Sequence, residues 1–369
     1  MKKVLFLIHD LGQGGAEKVL VNLVNNMDTT KFNITVMALF GGGVNEQFLR
    51  PEIRYLTVFK RTIPGNSKLM KLFTPKQLHR WFIKGYYDME ISYLEGPSAR
   101  IISGCCNPLT HLISWVHVEQ RTRGVASLSF RSEKEAEECY ARFDRHVFVA
   151  DTVRQDFLRL FPQEKPCAVL YNTVESDKIM QLSAEAAENL NEEGCIRLIA
   201  IGTLKEVKGY NRLLRIVNRL KQDGYPVHLY LLGKGPLKDE LEAYVANNGL
   251  ADQVTFLGYQ TNPYKYVAKC DLFVCASHAE GFSTAATEAL IVGTPVITTL
   301  VSGMKEMLGE DNEYGVVTEN SEEALYDGIK MLLDHPAMLA HYKERAQIRG
   351  KTFSVEKTVK AVEEMLLEL

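Results

Sequence analysis

Short apolar runs, each followed by a stretch long enough for a helix, recur from one end of the chain to the other. They are VLFLI (4–8), FNITVMALF (32–40), MEISYL (89–94), HLISWV (111–116), HVFVA (146–150) and CAVLY (167–171). After a polar interval come IRLIAIG (196–202), VHLYLLG (227–233), VTFLG (254–258), DLFVCAS (271–277) and PVITT (295–299). Runs this apolar suit strands covered on both faces, and such strands form parallel sheets with helical crossovers. The predicted class is therefore α/β, built from doubly wound, Rossmann-like units. At 369 residues the chain has room for two of them. The polar, alanine-rich segment 175–195 marks the boundary. The predicted division is 1–175 and 176–353, with a terminal helix at 354–369, capped by Ser354, returning to the first domain. No internal repeat or low-complexity tract is evident. Ligands of such sheets bind beyond the carboxyl ends of the strands, so two facing domains are expected to enclose a deep interdomain cleft.

Composition removes several classes. Hydrophobic residues at 46% and charged residues at 24% exclude a disordered or fibrous chain. A net charge of −3 gives no reason to expect nucleic acid as a partner. The seven cysteines include no CxxC pair, which argues for reduced thiols and against a structural zinc site. The opening MKKVLFLIHDLG has too short an apolar core for a signal peptide, and no stretch is apolar enough to span a bilayer. The expectation is a cytoplasmic protein, soluble or peripheral at the inner membrane face.

Three glycine-bearing turns follow predicted strands. His9-Asp10-Leu11-Gly12-Gln13-Gly14-Gly15-Ala16-Glu17 leads into a helix, and a glycine turn at a helix N-terminus offers free N–H groups to an anion. Glu17 stands where the dinucleotide fingerprint needs glycine, so that fingerprint is absent. Glycines that serve only a tight turn remain an alternative. Gly202-Thr203-Leu204-Lys205-Glu206-Val207-Lys208-Gly209 opens the second domain in a similar way, with Lys208 either a surface cation or the partner of a bound anion. Gly233-Lys234-Gly235-Pro236 is the third turn. No GxxxxGK[ST] pattern occurs, which excludes a P-loop NTPase.

The most informative segment is Glu280-Gly281-Phe282-Ser283-Thr284-Ala285-Ala286-Thr287-Glu288-Ala289-Leu290, directly after a strand. A helix beginning near Ser283 puts Glu280 on the loop and Glu288 in the second turn, with the amides of 281–284 between them. Carboxylates accept hydrogen bonds from vicinal hydroxyls, and helix-start amides bind phosphate. One segment can thus hold both ends of a sugar nucleotide, unless the two glutamates are an accidental pair.

E-G-F-S-x₄-E-A-L, followed by Gly293-Thr294-Pro295-Val296, resembles the E-x₇-E signature of family 4 retaining glycosyltransferases, which have the GT-B fold. The GGAE loop, the segment 201–209, LLGKGP, FLGY at 256–259 and Val301-Ser302-Gly303 all fall in that family's order. The resemblance implies that Glu280 binds the transferred sugar and Glu288 the nucleotide ribose. It also implies that amides of Gly281, Phe282 and Ser283 meet sugar and phosphate oxygens, and that Lys208 neutralises the diphosphate. Gly202 lies in the same segment as Lys208. Gly14 and Gly15 would bring the first domain's backbone to the same phosphates, and His117 would face the anomeric centre. Tyr259 and Gln260 would lie by the nucleobase.

Thr203 departs from the pattern, because the family commonly has arginine there. A guanidinium on the leaving diphosphate would give bidentate contacts. Its absence leaves Lys208, with Lys205, Arg121 or Arg123 as other sources of charge. No D-x-D pair is present, so no metal and no cofactor is expected beyond the nucleotide-sugar co-substrate. UDP is the preferred nucleotide by family frequency, with GDP second.

Between Ile53 and Tyr87 stand Arg54, Lys60, Arg61, Lys68, Lys71, Lys76, Arg80 and Lys84, with no acidic residue. Thr74-Pro75 reads as a helix start. Lys76, Arg80 and Lys84 then share one side, with Leu78, Trp81, Phe82 and Tyr86 on another. The pattern suits a helix on an anionic inner-leaflet surface, near a glycan or lipid-diphosphate-linked acceptor. A solvated face with its aromatics in the core is the alternative. The resemblance implies a retaining transfer of a hexose-type sugar in surface polysaccharide synthesis. A sugar-nucleotide 2-epimerase of similar fold and a non-catalytic nucleotide-sugar binding protein are the competing readings.

Overall fold

The structure, a computed structural model, describes residues 1–61, 66–190 and 194–369. Residues 62–65 of the basic stretch and 191–193 of the boundary segment lie outside the described residues.

The strands are β1 (Lys2–Ile8), β2 (Phe32–Phe40), β3 (Arg54–Phe59), β4 (Met89–Ser92), β5 (His111–Val116), β6 (Arg145–Phe148), β7 (Cys167–Val169), β8 (Ile196–Ile201), β9 (Val227–Leu232), β10 (Val254–Gly258), β11 (Leu272–Cys275), β12 (Val296–Thr299) and β13 (Val316–Thr318). They form two parallel sheets, in the orders β3-β2-β1-β4-β5-β6-β7 and β10-β9-β8-β11-β12-β13. Most of the apolar runs are strands within a residue or two of their expected ends. Two strands were not expected. β3 is an edge strand whose residues are only partly buried, so its sequence, RYLTVF, shows no continuous apolar run. β13 is three residues long and also lies at an edge.

The chain divides into two compact units, Met1–Thr173 with Val355–Leu369, and Val174–Ser354. The helices that shape the strand ends are α1 (Gly15–Asn26), α2 (Pro75–Phe82), α3 (Pro97–Ile102), α4 (Tyr210–Gln222), α5 (Thr284–Ile291) and α6 (Val355–Leu367). In α6, Val359, Val362, Met365 and Leu366 are buried. Burying such a side chain fully contributes roughly 1.5–3 kcal/mol relative to exposure, which anchors the terminus to the first unit. Glu363 of α6 also accepts the Asp28 N–H at 2.6 Å, just past the end of α1.

The core of the second unit shows why α4 forms. Tyr210, Leu213, Leu214, Val217 and Leu220 recur at helical spacing and pack with Leu198, Leu229 and Val274 of the sheet. In each unit the strand order reverses between two central neighbours: β1 and β4 in the first, β8 and β11 in the second. Loops leaving the carboxyl ends of such a pair diverge to opposite faces and leave a crevice there.

Candidate functional site

The crevice of the second unit is bordered by the loop after β8 (202–209) and the loop after β11 (276–283). Gly209 has a left-handed φ of +66° at the N-cap of α4, and a Cβ there would overlap the Ala276 carbonyl oxygen. Glycine is therefore required for the two loops to touch. Arg212 fixes the contact from beneath. It is 4% exposed and donates to the Ala276 oxygen at 2.7 Å and the Ser277 oxygen at 2.6 Å. The sequence signal for Arg212 is a lone cation in the buried part of an amphipathic helix, and the sequence reading passed over it.

On this platform Lys208 Nζ lies 2.6 Å from Glu280 Oε1. Ser277 Oγ donates to the same oxygen at 2.6 Å. Lys208 and Ser277 both meet Oε1, and the Oε2 of Glu280 has no partner among the described residues. Burial works against the charge of Lys208, but attraction to Glu280 outweighs it and holds the ammonium above its ordinary pKa. The lysine's stem runs past Gly202, where a Cβ would stand 3.6 Å from Lys208 Cε.

Ser283 caps α5, accepting the Ala286 N–H at 3.3 Å, and Glu288 is buried in the helix's second turn. The helix start agrees with the position expected from sequence. Gly281 and Phe282 are buried against Gly303, whose φ is +75° and whose Cβ would lie 2.5 Å from the Gly281 oxygen. Tyr259 and Gln260 follow β10 and are half-buried, and the Gln260 amide nitrogen donates to the Leu257 oxygen at 2.6 Å. Thr203 is half-buried at the end of β8, and Lys205 is exposed. This unit thus brings together Gly202, Lys208, Glu280, Gly281, Phe282 and Ser283, with Glu288 on the helix that follows.

In the first unit, Gly14 is the N-cap of α1 and Gly15 its first residue. Asp10 Oδ1 accepts the Gly12 N–H of this turn at 2.7 Å, and the Glu17 carboxylate stands against Gly14, an acid in the first turn that suits the helix dipole. His117 is buried beyond β5. Its backbone N–H donates to Glu95 Oε2 at 3.0 Å, its ring packs on Tyr93 (centroids 4.7 Å apart), and its Nε2 has no partner among the described residues. Burial pushes its pKa down to about 3, so the imidazole is neutral at pH 7. Arg121 is exposed, with φ +60° and its N–H held by Asp156 at 3.0 Å. Arg123 sits 3.5 Å from Glu137.

The basic face needs a correction. α2 has the expected start, with Thr74 and Gln77 forming a capping box, but it ends at Phe82. Lys84 therefore lies beyond the helix, not on it, and donates to the Arg80 oxygen at 2.7 Å. The expected aromatic stripe is split: Leu78 is buried and Phe82 packs edge-on against Phe59, whereas Trp81 and Tyr86 are exposed. His79 turns inward to Glu90 at 2.7 Å. His79, Glu90 and Cys105 are the one group of three potential metal ligands among the described residues, with ligand atoms within 4.8 Å of one another. It lies under α2, away from the strand-end loops, and no helix among the described residues is long and apolar enough to cross a membrane.

The family described as "Glycosyl transferases group 1" matches residues 183–349. Over its whole length the chain is 28% identical to a Campylobacter jejuni enzyme, of which it also covers 100%. That enzyme is the N-acetylgalactosamine-N,N'-diacetylbacillosaminyl-diphospho-undecaprenol 4-alpha-N-acetylgalactosaminyltransferase. The lipopolysaccharide core biosynthesis glycosyltransferase LpsD of Rhizobium meliloti is 28% identical across 47% of this chain and 48% of its own. Among solved structures, Anabaena Alr3699/HepE in complex with UDP and glucose superposes with a TM-score of 0.79 at 19% identity, all of both chains being covered. At that identity the likeness establishes the fold alone.

Proposed function

We propose a reaction for this chain on a premise the comparisons supply: it is a glycosyltransferase of the GT-B fold, and residues 183–349 carry its group 1 glycosyl transferase domain. The motif resemblance read from the sequence holds. The chain moves a hexose-type sugar from a UDP-sugar to a lipid-diphosphate-linked oligosaccharide, with retention at the anomeric carbon and without a metal. The lipid-linked acceptor is suggested by the name of the Campylobacter relative, and UDP by the Anabaena Alr3699/HepE complexes with UDP and glucose and with UDP-glucose.

The observation that carries this reading is the Lys208–Glu280–Ser277 cluster at the second unit's crevice. Breaking the bond between sugar and diphosphate leaves negative charge on phosphate and oxocarbenium character on the sugar. An ammonium has three N–H donors. Lys208 spends one on Glu280 and keeps two for phosphate oxygens, so its charge stabilises the leaving group as it forms. Glu280, with Oε1 anchored, turns Oε2 to the sugar hydroxyls. Glu288 takes the ribose hydroxyls, and the amides of Gly281, Phe282 and Ser283 meet the remaining oxygens. With threonine at 203, Lys208 neutralises the diphosphate without a guanidinium from that position. His117 enters as a neutral imidazole, able to accept a hydrogen bond from a sugar hydroxyl. Lys76, Arg80, Lys84 and Trp81 hold the enzyme at an anionic membrane surface, on the cytoplasmic side where nucleotide sugars are made.

The test is transfer from UDP-sugars to a polyprenyl-diphosphate-linked disaccharide, with EDTA present, and with the anomeric configuration of the product read by NMR. The expected product keeps the donor's configuration at an undiminished rate. Turnover abolished by EDTA, an inverted product, or a new sugar nucleotide formed without acceptor would overturn the reading.

A further inference from the structure

The two crevices share a local sequence that is too short to stand out as a repeat. Ser92-Tyr93-Leu94-Glu95-Gly96-Pro97-Ser98 leaves β4, and Ser277-His278-Ala279-Glu280-Gly281-Phe282-Ser283 leaves β11. Both read S-x-x-E-G-x-S. β4 and β11 hold the same place in their sheets, each beside the first strand of its unit and each bordering the reversal of strand order. Glu95 is thus the first unit's topological counterpart of Glu280.

The surroundings of the two carboxylates differ in charge. Glu280 has Lys208 at 2.6 Å. Glu95 has no lysine or arginine within ion-pair distance among the described residues. Its Oε2 accepts the His117 N–H at 3.0 Å, and the Gln120 side chain also meets it. Burial raises its pKa against these hydrogen bonds. A half-buried carboxylate without a counter-ion costs stability, and such groups cluster at functional sites. His117, whose N–H Glu95 accepts, belongs to a ring cluster with Tyr93 and Trp115, and Tyr93 Oη, Trp115 Nε1 and His117 Nε2 are buried polar atoms with no partner among the described residues. The three rings pack on one another, with centroids 4.7–6.2 Å apart. Buried polar atoms are normally paired, so three unpaired ones in a ring cluster that reaches an unneutralised carboxylate through His117 call for a ligand or water.

We infer that Glu95 binds the hydroxyls of the acceptor's terminal sugar, with the Tyr93–Trp115–His117 cluster as the floor of that subsite. An unneutralised carboxylate repels a diphosphate, so the group it receives is the neutral sugar end of the acceptor and not its phosphates. Glu280 reads donor hydroxyls in one unit, and Glu95 reads acceptor hydroxyls in the other. The inference rests on the glycosyl-transfer reading above.

Glu95→Gln tests it, because glutamine keeps a carbonyl oxygen for the His117 N–H and loses only the charge. Steady-state kinetics would use a UDP-hexose found to be a donor and a polyprenyl-diphosphate-linked disaccharide, alongside UDP affinity by calorimetry and the unfolding temperature. A hydrogen bond to a charged group corresponds to about a 10- to 100-fold effect. The acceptor KM is expected to rise by that factor, with UDP affinity and unfolding temperature at wild-type values. An acceptor KM that stays at the wild-type value would overturn the inference, as would a parallel loss of UDP affinity, which would make Glu95 a prop for the fold. A wild-type chain that binds no UDP would overturn the glycosyl-transfer reading itself, and the role of Glu95 with it.

Discussion

Replacing Lys208 by methionine keeps most of the stem over Gly202 and removes the ammonium, with its charge and its hydrogen bonds. Its side chain is 28% exposed and that of Glu280 is 11%. An exposed pair contributes about 0–1 kcal/mol, whereas removing one partner of a fully buried pair costs about 3–5. The intermediate exposure, discounted for the solvent that reaches Lys208, puts the cost at about 2 kcal/mol. For a unit of this size that lowers the unfolding temperature by about 4–8 °C. Glu280→Gln keeps an acceptor for Ser277 and removes the charge Lys208 neutralises. The double variant should therefore recover part of the loss, with a coupling of about 1–2 kcal/mol. Lys208→Met should also weaken UDP binding by about 10- to 100-fold, the range for a hydrogen bond to a charged group. Denaturant unfolding of the four proteins gives the coupling, and calorimetry with UDP gives the binding loss. Coupling of zero would refute the ion pair, and unchanged UDP affinity would refute the cation's role at the diphosphate.

Two further outcomes follow from the first unit. Burial alone would depress the His79 pKa, but Cys105 and Glu90 overcome it and push it up to about 9, above the 6.5 of the unfolded chain. His79 therefore contributes stability that is complete below about pH 6.5 and lost as the pH rises to about 9, worth on the order of 1–3 kcal/mol. Denaturant unfolding at pH 6 and pH 9 should show that loss in the wild type and not in His79→Gln, and parallel behaviour of the two would rule it out. Changing Lys76, Arg80 and Lys84 together to glutamine should weaken sedimentation with anionic vesicles by about 1 kcal/mol per residue near the surface, while equal binding would remove the membrane role of this face.

The sequence carried the central strands because their burial on both faces leaves unbroken apolar runs, as in FNITVMALF and HLISWV. It did not carry β3, since an edge strand buries too little to show such a run, and three-residue β13 is too short to register. Capping chemistry made the starts of α2 and α5 legible through Thr74 and Ser283. The end of α2 was not, because spacing alone continued the pattern to Lys84. At the site, Glu280, Glu288 and Lys208 were found as members of a motif. That Lys208 pairs with Glu280 across 72 positions depends on β8 and β11 lying side by side, which no local pattern encodes. Glu95 escaped notice for the same reason: its likeness to Glu280 has meaning only once both loops are seen at equivalent strand ends.

The most direct measurement is calorimetric titration of the wild type and Glu288→Ala with UDP, each with and without EDTA. Saturable binding by the wild type, unaffected by EDTA and lost or greatly weakened in Glu288→Ala, is the expected outcome. Absence of UDP binding, or binding that requires a divalent cation, would contradict it.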